Sequence, residues 1–468
     1  MKHFILLAAA ALASIPSIIA QEPVTLDLDR CIAIALTESP TVRIADMEVA
    51  RVDYSRKEII GQLLPNIDFG GQYNRTLAKQ TMYMSMDGFG DFGGADGGDN
   101  AGDGIATQAD KKGDGGIKVG LDNSFSLGFQ ASMPIIAPQL WQSIKLSDQQ
   151  IYRNVEAARK SRLELINQVK NAYYTLLLAE DSQKVMQESY DMAKLTYDTY
   201  SKQYALGAAS DYDVLRTSVA LKNIEPQLME AEIAIKQARL QLLILMGVDS
   251  DFRFSVNDKL ANYEDLMYSQ TLSIDPDYSR NMDLRLLDID TEMLKKNLKI
   301  QKLAYSPTLA LTANYNWTSM NNGSPFKNLR WNPYSAVGIS LSVPIFSGGQ
   351  RLNKVKQTQL QVEEMRWQRE NLERTVDMQV KVAIDNIKMN VKQIASCAES
   401  VGQAERAHSI QEQSFDIGAT SYLNLRDSEL ALTQARLAYN QAIYNYLVAH
   451  SNLELLLGNA PIDKYTQK

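Results

Sequence analysis

The sequence predicts a mainly α-helical chain that is internally duplicated, with four β-strands and long antiparallel helices. Two similar segments lie 211 residues apart: GAASDYDVLRTSVAL begins at Gly207 and GATSYLNLRDSELAL at Gly418. Two stretches of 68 residues are almost free of Gly and Pro, and four shorter stretches alternate between apolar and polar residues. A repeat of this length indicates a duplicated half-protein rather than a solenoid.

The chain opens with a predicted export signal, residues 1–20. Lys2 and His3 precede an apolar run, and Ile18, Ile19 and Ala20 then stand before Gln21, so we expect cleavage after Ala20. The sequence near this point contains no Cys, and the mature end is therefore expected to carry no lipid. A helical segment is predicted over 21–64. Beyond the signal the sequence has no run of about 18 apolar residues, so no membrane-spanning helix is predicted.

Residues 65–137 and 307–347 are each predicted to form a β-hairpin. In the first, IDFGGQYN from Ile67 and SFSLGFQASM from Ser124 alternate between apolar residues and Gly, Ser, Asn or Gln. In the second, TLALTANYNW from Thr308 and VGISLSVPI from Val337 do the same. The first hairpin is longer because of segment 82–116, which has seven Asp and two Lys, a net charge of minus five. Its glycines predict an external loop. Calcium binding there is an alternative, although no segment has EF-hand spacing.

Long helical hairpins are predicted over 138–248 and 348–458, each following a β-hairpin. Their first helices would be roughly 100 Å long at ~1.5 Å of rise per residue, and short glycine turns predict antiparallel partners. Pro226 is expected to interrupt the second helix of the first hairpin. A linker over 249–280, a helix over 281–306 and a tail over 459–468 complete the prediction.

The alternating strands fit two kinds of sheet. A half-buried sheet on a soluble core alternates in the same way. Three features favour a membrane barrel: strands of ten or more residues, no other apolar segment to supply a core partner, and aromatic residues near the strand ends. Those aromatic residues are Tyr73, Trp141, Trp317, Trp331 and Tyr334.

Four strands cannot close a barrel, since the smallest membrane barrels have about eight. Two copies would give about eight strands with a filled interior, whereas three would give about twelve with an open lumen. We therefore expect a ring with three-fold symmetry. All four strands join the helices at one end, so the helices are expected in the periplasm and the strand loops outside the cell.

Composition argues against enzymes and nucleic-acid binding. The 48 basic and 55 acidic residues leave no basic patch. His3 leaves with the signal, and His408 and His450 both lie in helical runs. No catalytic triad, metal-ligand set or phosphate-binding loop stands out. We expect no catalysis, no cofactor and no metal site. A periplasmic coiled-coil scaffold or adhesin remains an alternative to a channel.

In their order along the chain, several segments resemble the TolC family of outer-membrane efflux proteins. They are LDLDRCIAIALTESPTVRIADMEVA, the joint LLPNIDFGGQYN with its echo YSPTLALTANYN, the strand ends MPII and VPIFSGGQR, and both glycine hairpins. The resemblance implies a homotrimer with a 12-stranded barrel in outer-membrane lipid on a 12-helix periplasmic tunnel. It also implies a passive exit duct whose partners are a periplasmic adaptor (membrane fusion protein) and an inner-membrane pump. The cargo stays open, because the pump selects it.

The resemblance places a gate and the adaptor contacts at the tips of the helical hairpins. It implies that Asp213, Asn424 and Asp427 line the constriction. Phe415 and Thr420 stand where members of the family hold the closed state with a tyrosine and an arginine. Adaptor contact is implied for the tip residues Leu206, Gly207, Ala208, Ala209, Ser210, Ile417, Gly418, Ala419 and Ser421.

The gate residues also have a structural interpretation. Ser210 with Asp213 fits a helix capping box, and Ser421 with Asn424 fits a weaker one. For Asp213 both roles stay open, whereas we favour a pore-facing role for Asp427. A ring of three Asp427 side chains would attract cations and repel anions.

Overall fold

A computed structural model describes residues 24–83, 116–264, 277–459 and 462. The predicted signal peptide, almost all of the acidic segment and most of the tail lie outside these residues. In chain order the elements are β1 (Val24–Thr25), α1 (Leu28–Glu38), α2 (Pro40–Gly61), β2 (Asn66–Arg75), β3 (Gln80–Tyr83), β4 (Gly116–Val119), β5 (Asn123–Ile136), α3 (Pro138–Ala205), α4 (Asp211–Met246), β6 (Phe254–Ser255), a 3₁₀ helix (Leu260–Tyr263), α5 (Met282–Leu303), β7 (Thr308–Asn321), β8 (Asn332–Ser342), α6 (Gln350–Asp416) and α7 (Tyr422–Leu457).

The chain divides into two compact units. The described parts of 1–53, 149–294 and 360–468 form one, called here the helical unit. Residues 54–148 and 295–359 contribute the other, the sheet unit. Among the described residues, no helix combines the length and the apolarity needed to cross a membrane.

Four antiparallel strands form the main sheet of the sheet unit, in the order β2-β5-β7-β8. The register aligns the two predicted faces across all four strands. On one face Phe69 lies opposite Phe129, which lies opposite Tyr315 on the next strand. On the other face Gln130 lies opposite Asp68 and Asn314. The predicted alternation therefore gives one apolar and one polar face, and β2 and β8 are the sheet edges.

The polar face has a position that requires glycine. A Cβ on Gly128 would lie 1.9 Å from the side-chain oxygen of Asn316, its cross-strand neighbour, and 2.8 Å from the backbone oxygen of Tyr315. On the apolar face the rings of Phe69 and Phe129 pack with centroids 4.9 Å apart. Small residues on one face and rings on the other give the sheet two different surfaces.

A polar network joins the loops at one end of this sheet. The Asp122 carboxylate pairs with Lys79 at 3.1 Å and accepts a hydrogen bond from the Gly323 amide at 3.1 Å. The Asn322 side-chain oxygen accepts hydrogen bonds from the Asp122 amide and the Lys79 ammonium. These contacts tie the first β-hairpin of the chain to the second.

The core of the helical unit lies where α1, α3, α4, α6 and α7 meet. Tyr173 of α3 and Tyr446 of α7 are among its largest fully buried side chains. The Tyr173 hydroxyl donates to the Asp258 carboxylate at 2.7 Å, and Tyr263 donates to the same oxygen at 3.1 Å. The segment after α4 is thereby fixed to the core.

Helix α4 runs unbroken through Pro226, so the predicted interruption is wrong. Proline removes one backbone hydrogen bond from a helix interior and strains the preceding turn. Here tertiary packing offsets that cost, because Leu221 and Ile224 on the turn before Pro226 are buried against Ala193 of α3. Packing of an apolar stripe outweighs local propensity in a helix of this length.

Two equivalent glycines end the helical hairpins in both halves. Gly247 after α4 has φ +70° and Gly458 after α7 has φ +68°. A Cβ on Gly247 would lie 2.8 Å from the backbone oxygen of Glu38, and one on Gly458 would lie 2.2 Å from that of Arg280. Each glycine thus ends its helix and lets the backbone approach the segment just before an earlier helix of the same half, α2 for Gly247 and α5 for Gly458.

Candidate functional site

The tip of the first helical hairpin is a turn between α3 and α4, held by backbone hydrogen bonds. Gly207 adopts φ +76°. Its amide donates to the Tyr204 oxygen at 2.9 Å, and the Ala208 amide donates to the Gln203 oxygen at 2.8 Å. This pattern is the Schellman motif, which satisfies the last carbonyls of a helix. The turn therefore needs glycine at this position for a backbone reason.

Asp213 takes part in a capping box that starts α4. The Asp213 amide donates to the Ser210 hydroxyl oxygen at 3.2 Å, while the Asp213 carboxylate accepts from the Ser210 amide at 3.3 Å. The Ser210 hydroxyl also donates to that carboxylate at 2.6 Å. The structural interpretation of Asp213 is thus observed, and the residue is half-buried in this arrangement.

The second tip repeats the turn but changes the cap. The Gly418 and Ala419 amides donate to the oxygens of Phe415 and Ser414 at 2.9 and 2.8 Å. Ser421 accepts from the amide of Asn424 at 3.4 Å. The Asn424 side chain does not complete the box; it donates at 3.0 Å to the Thr420 hydroxyl.

Thr420, which the resemblance predicts to replace a residue of the closed-state latch, bonds within its own hairpin. Its hydroxyl donates at 3.0 Å to the side-chain oxygen of Gln411 on α6 while accepting from Asn424 on α7. The Asn424 and Asp427 side chains are exposed on α7. The second tip is thus fixed by neutral hydrogen bonds, and the Asp427 carboxylate is accessible to solvent.

Phe415, the other residue predicted from the resemblance to replace part of the latch, faces the first hairpin. Its ring centroid lies 6.3 Å from that of Tyr200 on α3. Tyr200 also makes an edge contact with Tyr422 on α7 at 5.7 Å, and the Arg216 guanidinium of α4 lies 5.3 Å from the Tyr422 ring centroid. We call these four residues the aromatic cluster.

Sequence reasoning missed three members of the aromatic cluster, although the repeat contains a signal for them. The offset of 211 residues places Gln411 opposite Tyr200, Asp211 opposite Tyr422 and Asp427 opposite Arg216. Residues that differ in this way are not part of the framework that the two halves share. A comparison of the two tips for such differences would have selected them.

A buried ion pair follows the second tip on α7. The Glu429 carboxylate lies 3.3 Å from the Arg426 guanidinium, and their side chains are 5% and 14% exposed. Burial raises the pKa of Glu429, with Arg426 and His408 acting in the opposite direction. Nearby, the His408 ring nitrogen and the Ser428 hydroxyl lie 3.3 Å apart. A buried carboxylate therefore stands one turn from the predicted constriction.

Apolar residues project from both tips. Leu206 is 84% exposed and Ile417 is 81% exposed, and they match each other in the repeat. Exposed leucine and isoleucine at a turn are not needed to stabilise the turn itself. Both side chains are therefore left largely in solvent at the hairpin tips.

Comparison with known proteins decides the family. Residues 31–248 and 278–459 match the family described as Outer membrane efflux protein. The chain belongs to this family. The two matched stretches correspond to the two halves, which confirms the internal duplication. The family is one of efflux channels, so the chain is an outer-membrane exit duct, as predicted; a scaffold or adhesin is not supported.

Individual relatives are distant in sequence. Outer membrane protein TolC of Escherichia coli strain K12 is 21% identical over 345 residues, which cover 72% of this chain and 70% of that protein. Alkaline protease secretion protein AprF of Pseudomonas aeruginosa is 24% identical over 312 residues, covering 65% and 63%.

Solved structures agree on the fold. The CmeC outer membrane channel of Campylobacter jejuni superposes with a TM-score of 0.68 at 18% identity, covering 92% of this chain and 85% of CmeC. VceC of Vibrio cholerae gives a TM-score of 0.65 at 15% identity, covering 92% and 96%. The predicted combination of long helices with antiparallel strands is confirmed.

Proposed function

We propose that three copies of this chain form the outer-membrane duct of a tripartite export system. The proposal is carried by the four-stranded sheet, whose edges are β2 and β8 and whose faces differ in polarity. Four strands are too few for a membrane barrel, and three copies supply about twelve, enough for an open lumen. The apolar face would meet lipid, and the polar face would line the lumen.

In this proposal the helical hairpins extend into the periplasm and the mature N terminus is not lipidated. The partners are a periplasmic adaptor and an inner-membrane pump. The exposed Leu206 and Ile417 support contact of the tips with the adaptor, because burying large apolar side chains is a main source of affinity between proteins. Adaptor contact also includes the flanking tip residues predicted above.

The cargo of this duct is set by its pump. The names of relatives refer to secretion of an alkaline protease, export of pyoverdine and efflux of toluene. Cargoes so different in size and polarity share no obvious binding chemistry. We therefore propose a duct without a specific cargo site in its wall.

The periplasmic entrance is proposed to narrow at the tips, with Asp427 as its charged group. The Asp427 side chain is exposed, whereas the Asp213 carboxylate is engaged with Ser210. Three Asp427 carboxylates around one axis would concentrate negative potential and bind polyvalent cations. Asn424, one turn away, would contribute a neutral polar lining.

The experiment is single-channel recording of the purified protein in planar lipid bilayers. Wild type is expected to give discrete conductance steps that polyvalent cations added to the periplasmic side block. Asp427→Ala should widen the conductance and weaken the block. Asp416→Ala, which removes another exposed tip carboxylate, is the matched control and should leave the block unchanged. The absence of conductance steps from wild type would refute the duct, and unchanged block in Asp427→Ala would refute this position of the gate.

A further inference from the structure

The aromatic cluster joins the four long helices of the helical unit near the tips. It takes one residue from each: Tyr200 from α3, Arg216 from α4, Phe415 from α6 and Tyr422 from α7. Tyr200 is the centre, because its ring contacts both rings of the second hairpin. Hydrogen bonds of the neighbouring polar residues stay within one hairpin, as in Ser210 with Asp213 and Thr420 with Gln411.

The contact is made by ring faces and edges rather than by hydroxyl groups. In the part of the chain that the structure describes, neither the Tyr200 nor the Tyr422 hydroxyl has a hydrogen-bond partner. Tyr200 meets Phe415 at an interplanar angle of 41° and Tyr422 at 67°. Tilted and edge-to-face geometries are favourable for aromatic pairs. Burial raises the pKa of both tyrosines, which agrees with rings held between helices.

A second connection between the hairpins lies farther from the tips. Arg436 of α7 pairs with Glu188 of α3 at 2.6 Å and with Glu405 of α6 at 2.9 Å. Arg436 lies 14 residues after Tyr422, roughly 21 Å along a helix. The tips could therefore separate at the aromatic cluster while this ion-pair network still holds the hairpins together.

We propose that the aromatic cluster is the contact within each chain that must break when the periplasmic entrance opens. This inference rests on the proposed duct and adds the chemistry that keeps it closed. Two contacts of the cluster, those of Tyr200 with Phe415 and with Tyr422, join uncharged rings, and the third places the Arg216 cation over the Tyr422 ring. Raising the salt concentration screens charges but leaves ring packing intact, so the ring contacts should keep the entrance closed at about 1 M salt, where an ion-pair latch would weaken.

The experiment compares channel opening in variants of the full chain in planar bilayers. Tyr200→Ala removes both ring contacts and should raise the open-to-closed ratio about tenfold, equivalent to about 1.4 kcal/mol. Tyr200→Phe keeps both rings and should behave like wild type. Tyr204→Ala is the matched control, since Tyr204 lies on the next turn of α3 and is 49% exposed; it should also behave like wild type.

The outcomes distinguish failure of this inference from failure of the proposed duct. If neither wild type nor any variant conducts, the proposed function fails. If wild type conducts and Tyr200→Ala opens no more than Tyr204→Ala, or if Tyr200→Phe opens as much as Tyr200→Ala, the cluster is not the closing contact. Should Tyr200→Ala fail to assemble, Arg216→Gln serves instead. It removes the cation from the Tyr422 ring and should raise the open-to-closed ratio roughly threefold, while an unchanged ratio would overturn the inference.

Discussion

The close approach of Gly458 to the backbone of Arg280 predicts a stability effect that can be separated into two parts. Gly458 has φ +68°, and an added Cβ would lie 2.2 Å from the Arg280 oxygen. Gly418 has φ +72° with open space around it. An alanine at either position carries the left-handed backbone cost of about 1–2 kcal/mol. Gly458→Ala adds overpacking of about 1–3 kcal/mol, because a backbone oxygen cannot move aside cheaply.

Thermal unfolding of the detergent-solubilised protein, followed by circular dichroism at one scan rate, measures the difference. We expect both variants to lower the midpoint and Gly458→Ala to lower it further, by about 1–3 °C. Gly402→Ala is a control of opposite sign: this glycine lies inside α6 with open space and no positive φ, so alanine should stabilise by about 0.5–1 kcal/mol. Equal midpoints for Gly458→Ala and Gly418→Ala would refute the packing argument.

Two further predictions concern the tips. The raised pKa of buried Glu429 means that the folded chain binds this proton more tightly than the unfolded chain, so its contribution to stability falls as pH rises through that pKa. Glu429→Gln removes the titration, and its midpoint relative to wild type should be higher at about pH 7.5 than at about pH 4.5; a constant difference would contradict this. Ser210→Ala removes a complete capping box and should destabilise the start of α4 by about 1 kcal/mol. Amide hydrogens there should then exchange faster. Ser421→Ala removes a single cap bond and should have a smaller effect at the start of α7; an equal effect would argue against the box.

Much of the fold could be predicted because its signals are local. Alternation of single residues defines the strand faces, and the register places Phe129 and Gln130 on opposite faces as expected. The near absence of Gly and Pro predicted the long helices α3 and α6. The pairing of β5 with β7, which joins the two halves into one sheet, depends on contacts between distant segments. Neither segment contains a signal for it.

The predictions were wrong or incomplete where tertiary packing, rather than local sequence, determines the structure. Pro226 lies in a continuous helix because Leu221 and Ile224 hold the preceding turn against α3. Periodicity alone cannot distinguish buried Glu429 from exposed polar residues on α7. The aromatic cluster combines one residue from each of four helices, so no single stretch of sequence predicts it. Tyr200, Arg216 and Tyr422 were visible only as differences between the two halves.

The central claim is that the four-stranded sheet is completed by the sheets of two further copies. Native mass spectrometry of protein extracted from outer membranes in mild detergent tests it most directly. The chain has a mass of 52.3 kDa before the predicted signal peptide is removed, and we expect a single species containing three chains of the cleaved form. A species of one or two chains, or a protein released by buffer without detergent, would contradict the account.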